Sequence, residues 1–412
     1  MSGRIPKHFI DDLITRTDIV EVINARVPLK KAGREYKACC PFHEEKTPSF
    51  TVSPDKQFYH CFGCGAHGTA IGFLMDFEHL DFVESVESLA GSLGIEVPRE
   101  ASPTPQKREP DLYETTERAA NFYREQLKGN DDAISYLKNR GLTGKIAAEF
   151  SIGFALESWD ALSEKLGKTP EDSKRLLATG LASRRSDGSL YDRFRNRIIF
   201  PIRDARGRVI GFGGRVIGDD EPKYLNSPET PLFHKGRELY GLFEARKNLR
   251  DIERLIVVEG YMDVVGLANK GIRNVVATLG TATTTEHIRR LFRVTEEIVF
   301  CFDGDRAGRA AAWRALETAL PEMREGRDVR FLFVPEGQDP DSLVREQGAA
   351  AFEARLPGAM PLSDFLLNHL EEEIDLSSLE GRARLAERAK PLLRKIPTGV
   401  YQQLLTERLA KK

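Results

Sequence analysis

Leu255-Ile256-Val257-Val258-Glu259, Ile298-Val299-Phe300-Cys301-Phe302-Asp303-Gly304-Asp305 and Phe331-Leu332-Phe333-Val334, the last followed by Asp339-Pro340-Asp341, are three apolar runs that each lead to carboxylates. Runs of β-branched and aromatic residues closed by glycine or proline predict buried parallel strands. Residues 251 to about 340 alternate such runs with helical stretches, as βαβ units do. In open α/β sheets ligands bind beyond the carboxyl ends of the strands, which is where these acids fall. Carboxylates gathered in a low-dielectric cleft repel one another unless divalent cations neutralise them, so the pattern predicts two or more catalytic Mg²⁺ or Mn²⁺ ions.

Gly304 lets Asp303 and Asp305 turn toward one site, which strict strand alternation would forbid. A helix is expected from about Arg306, through Ala307, Ala310, Ala311, Ala312 and Leu316, with its N-terminus facing the acids. Two cations roughly 3.5 to 4 Å apart there could activate a hydroxyl and stabilise a leaving phosphate oxygen. An Asp-x-Asp by itself reads equally well as a solvated loop, and single acids also cap helices or pair with arginines. The combination with Glu259, Asp339 and Asp341 favours metal.

With 412 residues and 46.3 kDa the chain exceeds one ordinary core and predicts two to four domains. A hydrophobic share of 41% beside 30% charge is that of a globular protein. No apolar run has the length of a membrane span, and Arg4, Lys7, Asp11 and Asp12 leave no apolar centre for a signal peptide. A cytoplasmic protein with no membrane partner, and a monomer, is expected.

Of the five cysteines, four fall between Cys39 and Cys64, which points to metal and away from a disulfide framework. Cys40-Pro41-Phe42-His43 and Cys61-Phe62-Gly63-Cys64 form two ligand pairs, each able to supply two tetrahedral corners from one turn. Cys39, His60 and His67 compete as ligands, but only Cys40, His43, Cys61 and Cys64 have both regular spacings. Four protein ligands leave no open position, so one structural Zn²⁺ is expected, contributing roughly 10 to 16 kcal/mol to a small domain with a thin core. Phe50, Val52, Phe58 and Tyr59 alternate as strand residues near Lys37, Lys46 and Lys56. They suit either stacked bases of a single strand or the core of a small zinc module.

Residues 1–101 form the first unit, and the Pro-rich, charged segment 102–110 reads as a tether that would let it move relative to the rest. Residues 111–250 are mixed α and β, with a helix around Leu112, Thr116, Ala119, Phe122 and Tyr123. Residues 251–340 are the α/β part, and 341–412 a helical region. The formal net charge is only −2, yet seven arginines fall from Arg193 to Arg215 against one acid, Asp204. Arg193, Arg195 and Arg197 would share a strand face, and Arg215 follows Gly211-Phe212-Gly213-Gly214, where missing side chains could admit a ligand. Lys223 and Tyr224 open a loop suited to a nucleotide or template, with guanidinium groups fitting phosphate oxygens. A Walker phosphate loop is excluded: Gly167-Lys168-Thr169 lacks its first glycine, and Pro170 follows.

The strings CPFHEEKTPSFTV and FYHCFGCGAHG resemble the zinc-binding domain of bacterial DnaG-type primases. RFRNRIIFPI, GFGGR, KYLNSPET, VVEGYMD, FCFDGDRAGR and QDPDSLV resemble the RNA polymerase domain, in family order over most of the chain. The resemblance implies a multi-domain α/β protein. A zinc-ribbon module comes first, followed by a mixed α+β subdomain, a Toprim subdomain with a parallel sheet and a C-terminal helical subdomain. It implies synthesis of short RNA primers from ribonucleoside triphosphates on single-stranded DNA. Zinc falls on Cys40, His43, Cys61 and Cys64, and the acidic metal cluster on Glu259, Asp303, Asp305, Asp339 and Asp341. Template and nucleotide contacts fall on Arg193, Arg195, Arg215, Lys223 and Tyr224. Glu259 could ligate metal or act as a base. The family's helicase-binding domain is expected to be missing, the chain stopping at Lys412, so that no helicase contact is expected of it. A Toprim topoisomerase or nuclease, and a non-catalytic zinc-dependent DNA-binding protein, are the rival classes.

Overall fold

The computed structural model describes residues 5, 7–78, 80–98, 112–218, 220–280, 282–372 and 374–411. The expected tether at 102–110 lies outside them. The chain divides into two compact units, Met1–Glu109 and Pro110–Lys412.

The first unit is built on a five-stranded antiparallel sheet in chain order: β1 (Lys30–Ala32), β2 (Glu35–Ala38), β3 (Phe50–Ser53), β4 (Phe58–Cys61) and β5 (His67–Gly68). Alternation along β3 and β4 sends Phe50, Val52, Tyr59 and Cys61 inward, where they pack with Ile19, Ile23, Phe73, Leu74 and Val86. Two of the three aromatics offered for base stacking, Phe50 and Tyr59, are therefore core, as is Val52. Only Phe58 stays half-buried, beside the His67 ring at 5.8 Å.

In the second unit a four-stranded antiparallel sheet runs in the order β11 (Tyr224–Asn226), β10 (Val209–Val216), β9 (Arg197–Arg203), β6 (Gly153–Ala155), with a ribbon of β7 (Ala182–Arg184) and β8 (Leu190–Asp192) beside it in sequence. A second sheet has the order β13 (Val275–Ala277), β12 (Arg254–Val258), β14 (Glu297–Phe302), β15 (Asp328–Phe333), β16 (Met360–Pro361). The first four are parallel, as the apolar runs predict, and β16 is an antiparallel edge. That edge comes from 360–361, so the sheet draws on a segment assigned by sequence to the helical region.

Both faces of this sheet are covered, which is why its strands are apolar without alternation. Ile256, Val258, Val299, Cys301 and Leu332 face a core shared with Phe200, Ile202, Ile210 and Tyr240 of the mixed region. Leu255, Val257, Ile298, Phe300 and Phe331 face one shared with Leu362, Leu366, Leu385, Leu392 and Leu405 of the C-terminal helices. At roughly 1.5 to 3 kcal/mol for each large buried side chain, either layer is a major share of the driving force. No helix among the described residues is long and apolar enough to cross a membrane.

Candidate metal centres and nucleic-acid interface

The zinc ligands sit where two turns meet the sheet. Cys61 ends β4, and its sulfur accepts from the backbone amides of Gly63 (3.3 Å) and Cys64 (3.4 Å). Among the described residues, Cys40, His43, Cys61 and Cys64 form the only group of three or more Cys, His, Asp or Glu whose ligand atoms all lie within 4.8 Å of one another. A tetrahedron with zinc–sulfur bonds of about 2.3 Å has edges of about 3.8 Å. Cys40 Sγ to Cys64 Sγ is 3.7 Å, and Cys61 Sγ to His43 Nδ1 is 3.8 Å, so the donor set fits zinc. Burial, with Cys61 and Cys64 alongside, pushes the Cys40 thiol up to about 12. Burial raises Cys61 too, but the Ser49 hydroxyl and the two amides outweigh it and bring it to about 7.

The acids occupy the carboxyl ends of β12, β14 and β15. Gly304 cannot be replaced there without movement, since a Cβ would lie 2.3 Å from the Val334 carbonyl oxygen. Asp305 Oδ1 accepts from Gly308 N at 2.7 Å and caps the helix Arg306–Ala319, which starts where the sequence predicts. Asp339 does the same for the helix Pro340–Gln347, accepting from Ser342 N at 2.7 Å. The capping role weighed as an alternative to metal is thus real for both, and each cap occupies one oxygen.

Mutual repulsion is the signature of the cleft. Burial raises the pKa of Glu259, as do the charges of Asp303 and Asp305, against a smaller opposing pull from Arg314. Asp303 is raised by burial, Asp339 and Asp305. The ligand atoms of these acids are nevertheless not gathered within 4.8 Å of one another. Asp341 stands apart from the others: it is 3% exposed, its pKa raised to about 6 by burial and Asp339, with Arg345, Arg140 and Arg215 pulling the other way. Its Oδ2 has no partner, while Oδ1 is wedged against Gly266, where a Cβ would lie 2.0 Å away.

Sequence reasoning missed Asp263. Burial lifts it to about 8, with Asp339, Asp341 and Asp303 adding to the rise and a hydrogen bond from the Asp341 amide opposing it. It accepts from Gly260 N at 3.1 Å and from Asp341 N at 3.3 Å, so it joins the β12 end to the β15 end of the cleft. Four residues past Glu259, it lies in the first turn of the helix Tyr261–Asn269 and not at the end of an apolar run.

The basic stretch does not form one stripe. Asn196 has φ 47°, so strand pairing starts only at Arg197, and Arg193 and Arg195 do not lie on the strand with it. The β9–β10 hairpin pairs Arg197 with Val216 and Arg203 with Val209. Arg193, Arg195, Arg197 and Arg215 therefore lie at one end and Arg203, Arg206 and Arg208 at the other, roughly 20 Å away. At the first end Arg193 donates to Asn226 O at 3.0 and 3.1 Å, and buried Arg215 donates to the Tyr224 hydroxyl. Lys223 is exposed, and Tyr224 lies on β11, an edge strand in place of the expected loop. The glycines of β10 admit the protein's own rings and no ligand. A Cβ would meet Phe233 at Gly211 (3.0 Å), Tyr261 at Gly213 (2.3 Å) and Phe194 at Gly214 (2.8 Å).

The structure adds Trp159, 56% exposed, with the Arg195 guanidinium 4.1 Å and that of Arg185 5.1 Å from its ring centre, beside Tyr191. In the first unit Phe62, 76% exposed, meets the His60 ring at 4.6 Å on the outer side of the sheet. Flat exposed rings, Trp159 with two guanidinium groups beside it, offer stacking platforms for unpaired bases.

Models of known families match in sequence along the chain: a CHC2 zinc finger over 5–104, the N-terminal domain of the DNA primase catalytic core over 122–246, a Toprim domain over 253–333, and a DnaB-helicase binding domain of primase over 363–412. The last match overturns the expectation that the helicase-binding region is missing. In the sequence these residues show only generic helices, because amphipathic periodicity reports a buried face and no partner.

A DNA primase of Pseudomonas aeruginosa is 58% identical over 421 residues, and one of Escherichia coli 55% identical over 418. All of this chain is covered in each case; it spans 63% of the former and 72% of the latter. A solved DnaG primase catalytic domain bound to ssDNA shares 52% identity at TM-score 0.70, over 73% of this chain and 98% of that one. The Aquifex aeolicus primase, with zinc-binding and RNA polymerase domains, shares 36% identity at TM-score 0.65, over 100% of this chain and 97% of that one.

Proposed function

The chain belongs to the bacterial DnaG-type DNA primases, and from that premise we propose that it synthesises short RNA primers on single-stranded DNA during chromosome replication, in the cytoplasm. The observation that carries the reading is the set of carboxylates at the ends of neighbouring parallel strands, where burial and the charges of Asp303 and Asp305 raise the proton affinity of Glu259, and burial, Asp339 and Asp305 raise that of Asp303. Groups so placed favour a dication over a proton.

In this reading the 3′-hydroxyl of one ribonucleotide attacks the α-phosphate of the next, and pyrophosphate leaves. Asp303, Asp305 and Glu259, with Asp339 and Asp341 behind them, would hold Mg²⁺ or Mn²⁺, which when bound supplies charge neutralisation at the phosphate oxygens. Arg193, Arg195, Arg215, Lys223 and Tyr224 would orient template and triphosphate, with Trp159 extending the track. Aligning two bound nucleotides would also remove much of the entropic barrier. Residues 1–101 would act as a zinc-holding arm, 111–250 and 251–340 as the polymerising centre, and 341–412 as the helical region whose 363–412 segment contacts the replicative helicase.

The test is primer synthesis by the wild type and Asp305→Ala with Mg²⁺, four ribonucleotides and a single-stranded template. New short RNA from the wild type alone supports the reading. Equal RNA from both would defeat the assigned centre, and template cutting or relaxation would move the chain to the Toprim nuclease or topoisomerase class.

A further inference from the structure

Around the zinc ligands lies a carboxylate that neither metal centre uses. Glu45 is two residues beyond His43 in the loop between β2 and β3. Its Oε1 accepts from the Cys40 backbone amide at 2.7 Å and from that of Ser49 at 3.0 Å. Its Oε2 accepts from the Ser49 hydroxyl at 2.5 Å and lies 3.3 Å from His43 Nε2. The same Ser49 hydroxyl stands 3.2 Å from Cys61 Sγ. One side chain therefore touches the backbone of the first ligand, the ring of the second and, through one hydroxyl, the third.

The imidazole of His43 has its other nitrogen, Nδ1, at the metal corner, 3.8 Å from Cys61 Sγ. A neutral imidazole carries one N–H, and the nitrogen that holds it cannot bind metal. An acceptor at Nε2 therefore leaves the Nδ1 lone pair free. The second ligand turn closes directly over this group: a Cβ on Gly63 would lie 2.6 Å from His43 Nε2 and 2.8 Å from Ser49 Oγ.

We propose that Glu45 is the positioning residue of the zinc site, holding His43 in the tautomer that presents Nδ1 to the metal while fixing Cys40 and Ser49 through its second oxygen. It is not itself a ligand, because both of its oxygens are engaged by protein donors. Partners of this kind set metal affinity by a factor of about 10 to 100.

The experiment uses the full chain with one equivalent of zinc. Zinc affinity is measured by competition with a chromophoric chelator for the wild type, Glu45→Gln and Glu45→Ala. Alanine should weaken binding about 10- to 100-fold, and glutamine, which keeps one acceptor oxygen, by less. In parallel, the ring nitrogens of His43 are observed by ¹⁵N NMR of the zinc-loaded wild type, assigned by loss of the signal in His43→Cys. Metal on Nδ1 and a proton on Nε2 are expected. Affinities of both variants within twofold of wild type would overturn the proposal, and so would Nε2 coordination in the wild type, a measurement that needs no Glu45 variant to fold.

Discussion

The Cys/His site of the first unit and the carboxylate cleft of the second, the two proposed metal centres, are built by opposite means. Thiol and imidazole donors are already at tetrahedral separations, with amides and Glu45 bracing them. Among the described residues no three carboxylates gather so closely, and two of them are braced by helix ends instead. A closed set of four soft donors holds one ion for the life of the fold. Spread hard donors with free oxygens leave room for an ion to share its shell with phosphate, as a turnover site requires. Burial alone does not make a metal site, and spacing alone does not make a catalytic one.

The contrast breaks first if zinc turns out not to hold the smaller unit together. Stripping zinc with a strong chelator should cost the first unit roughly 10 kcal/mol or more and unfold it, while the second unit keeps its own thermal transition. Calorimetry that showed both transitions unchanged would remove the structural role.

Asp305→Asn sharpens the other half. Asparagine caps helices as well as aspartate does, so stability should move by only a few tenths of a kcal/mol. Primer synthesis should nonetheless fall roughly a hundredfold or more, the scale on which loss of one charge-placing group acts. A drop in melting temperature that accounted for the lost activity would reduce this acid to a cap.

Glu244 provides a control for burial. It is buried beside Arg203, 3.8 Å away, and burial pushes its pKa from 4.5 to about 7. The shift is upward, so its contribution is full below the unfolded pKa and is lost as pH rises from about 4.5 through about 7. Denaturant titrations of the second unit should show up to about 3 kcal/mol of that loss. Glu244→Gln should flatten the dependence over the same interval, and an unchanged pH profile in that variant would mean another group is responsible.

The smallest effect is expected at the nucleic-acid face. Trp159→Ala should weaken single-stranded DNA binding by about 1 to 3 kcal/mol, as loss of one stacked base does. Arg195→Ala should also lower the salt slope of log affinity by about 0.7, the value for one phosphate contact on a single strand. Fluorescence titrations at several salt concentrations check both, and intact binding in both variants would place the strand elsewhere.

Much of this was legible in the residues. The three apolar runs specify parallel strands because both faces of that sheet are covered, and the helix after Asp305 announces itself by alanine-rich composition. Both zinc pairs follow from spacing within single turns. What was not legible depends on pairing across the chain. Nothing local says that a hairpin carries Arg203, Arg206 and Arg208 away from Arg193 and Arg195. Nor does a glycine reveal whether its open side receives a ligand or, as at Gly213, the ring of Tyr261 from 48 positions further along. Asp263 was hidden because its helix-start context is shared by ordinary capping acids.

The capping bonds of Asp305 and Asp339 bear on how the cleft would cycle. Each side chain is fixed by the first turn of a helix whether or not an ion is present, so its ordering belongs to folding and not to ion capture. Divalent ions could then come and go with each nucleotide while the carboxylate frame stays still, and ion exchange would be limited by water loss from the cation.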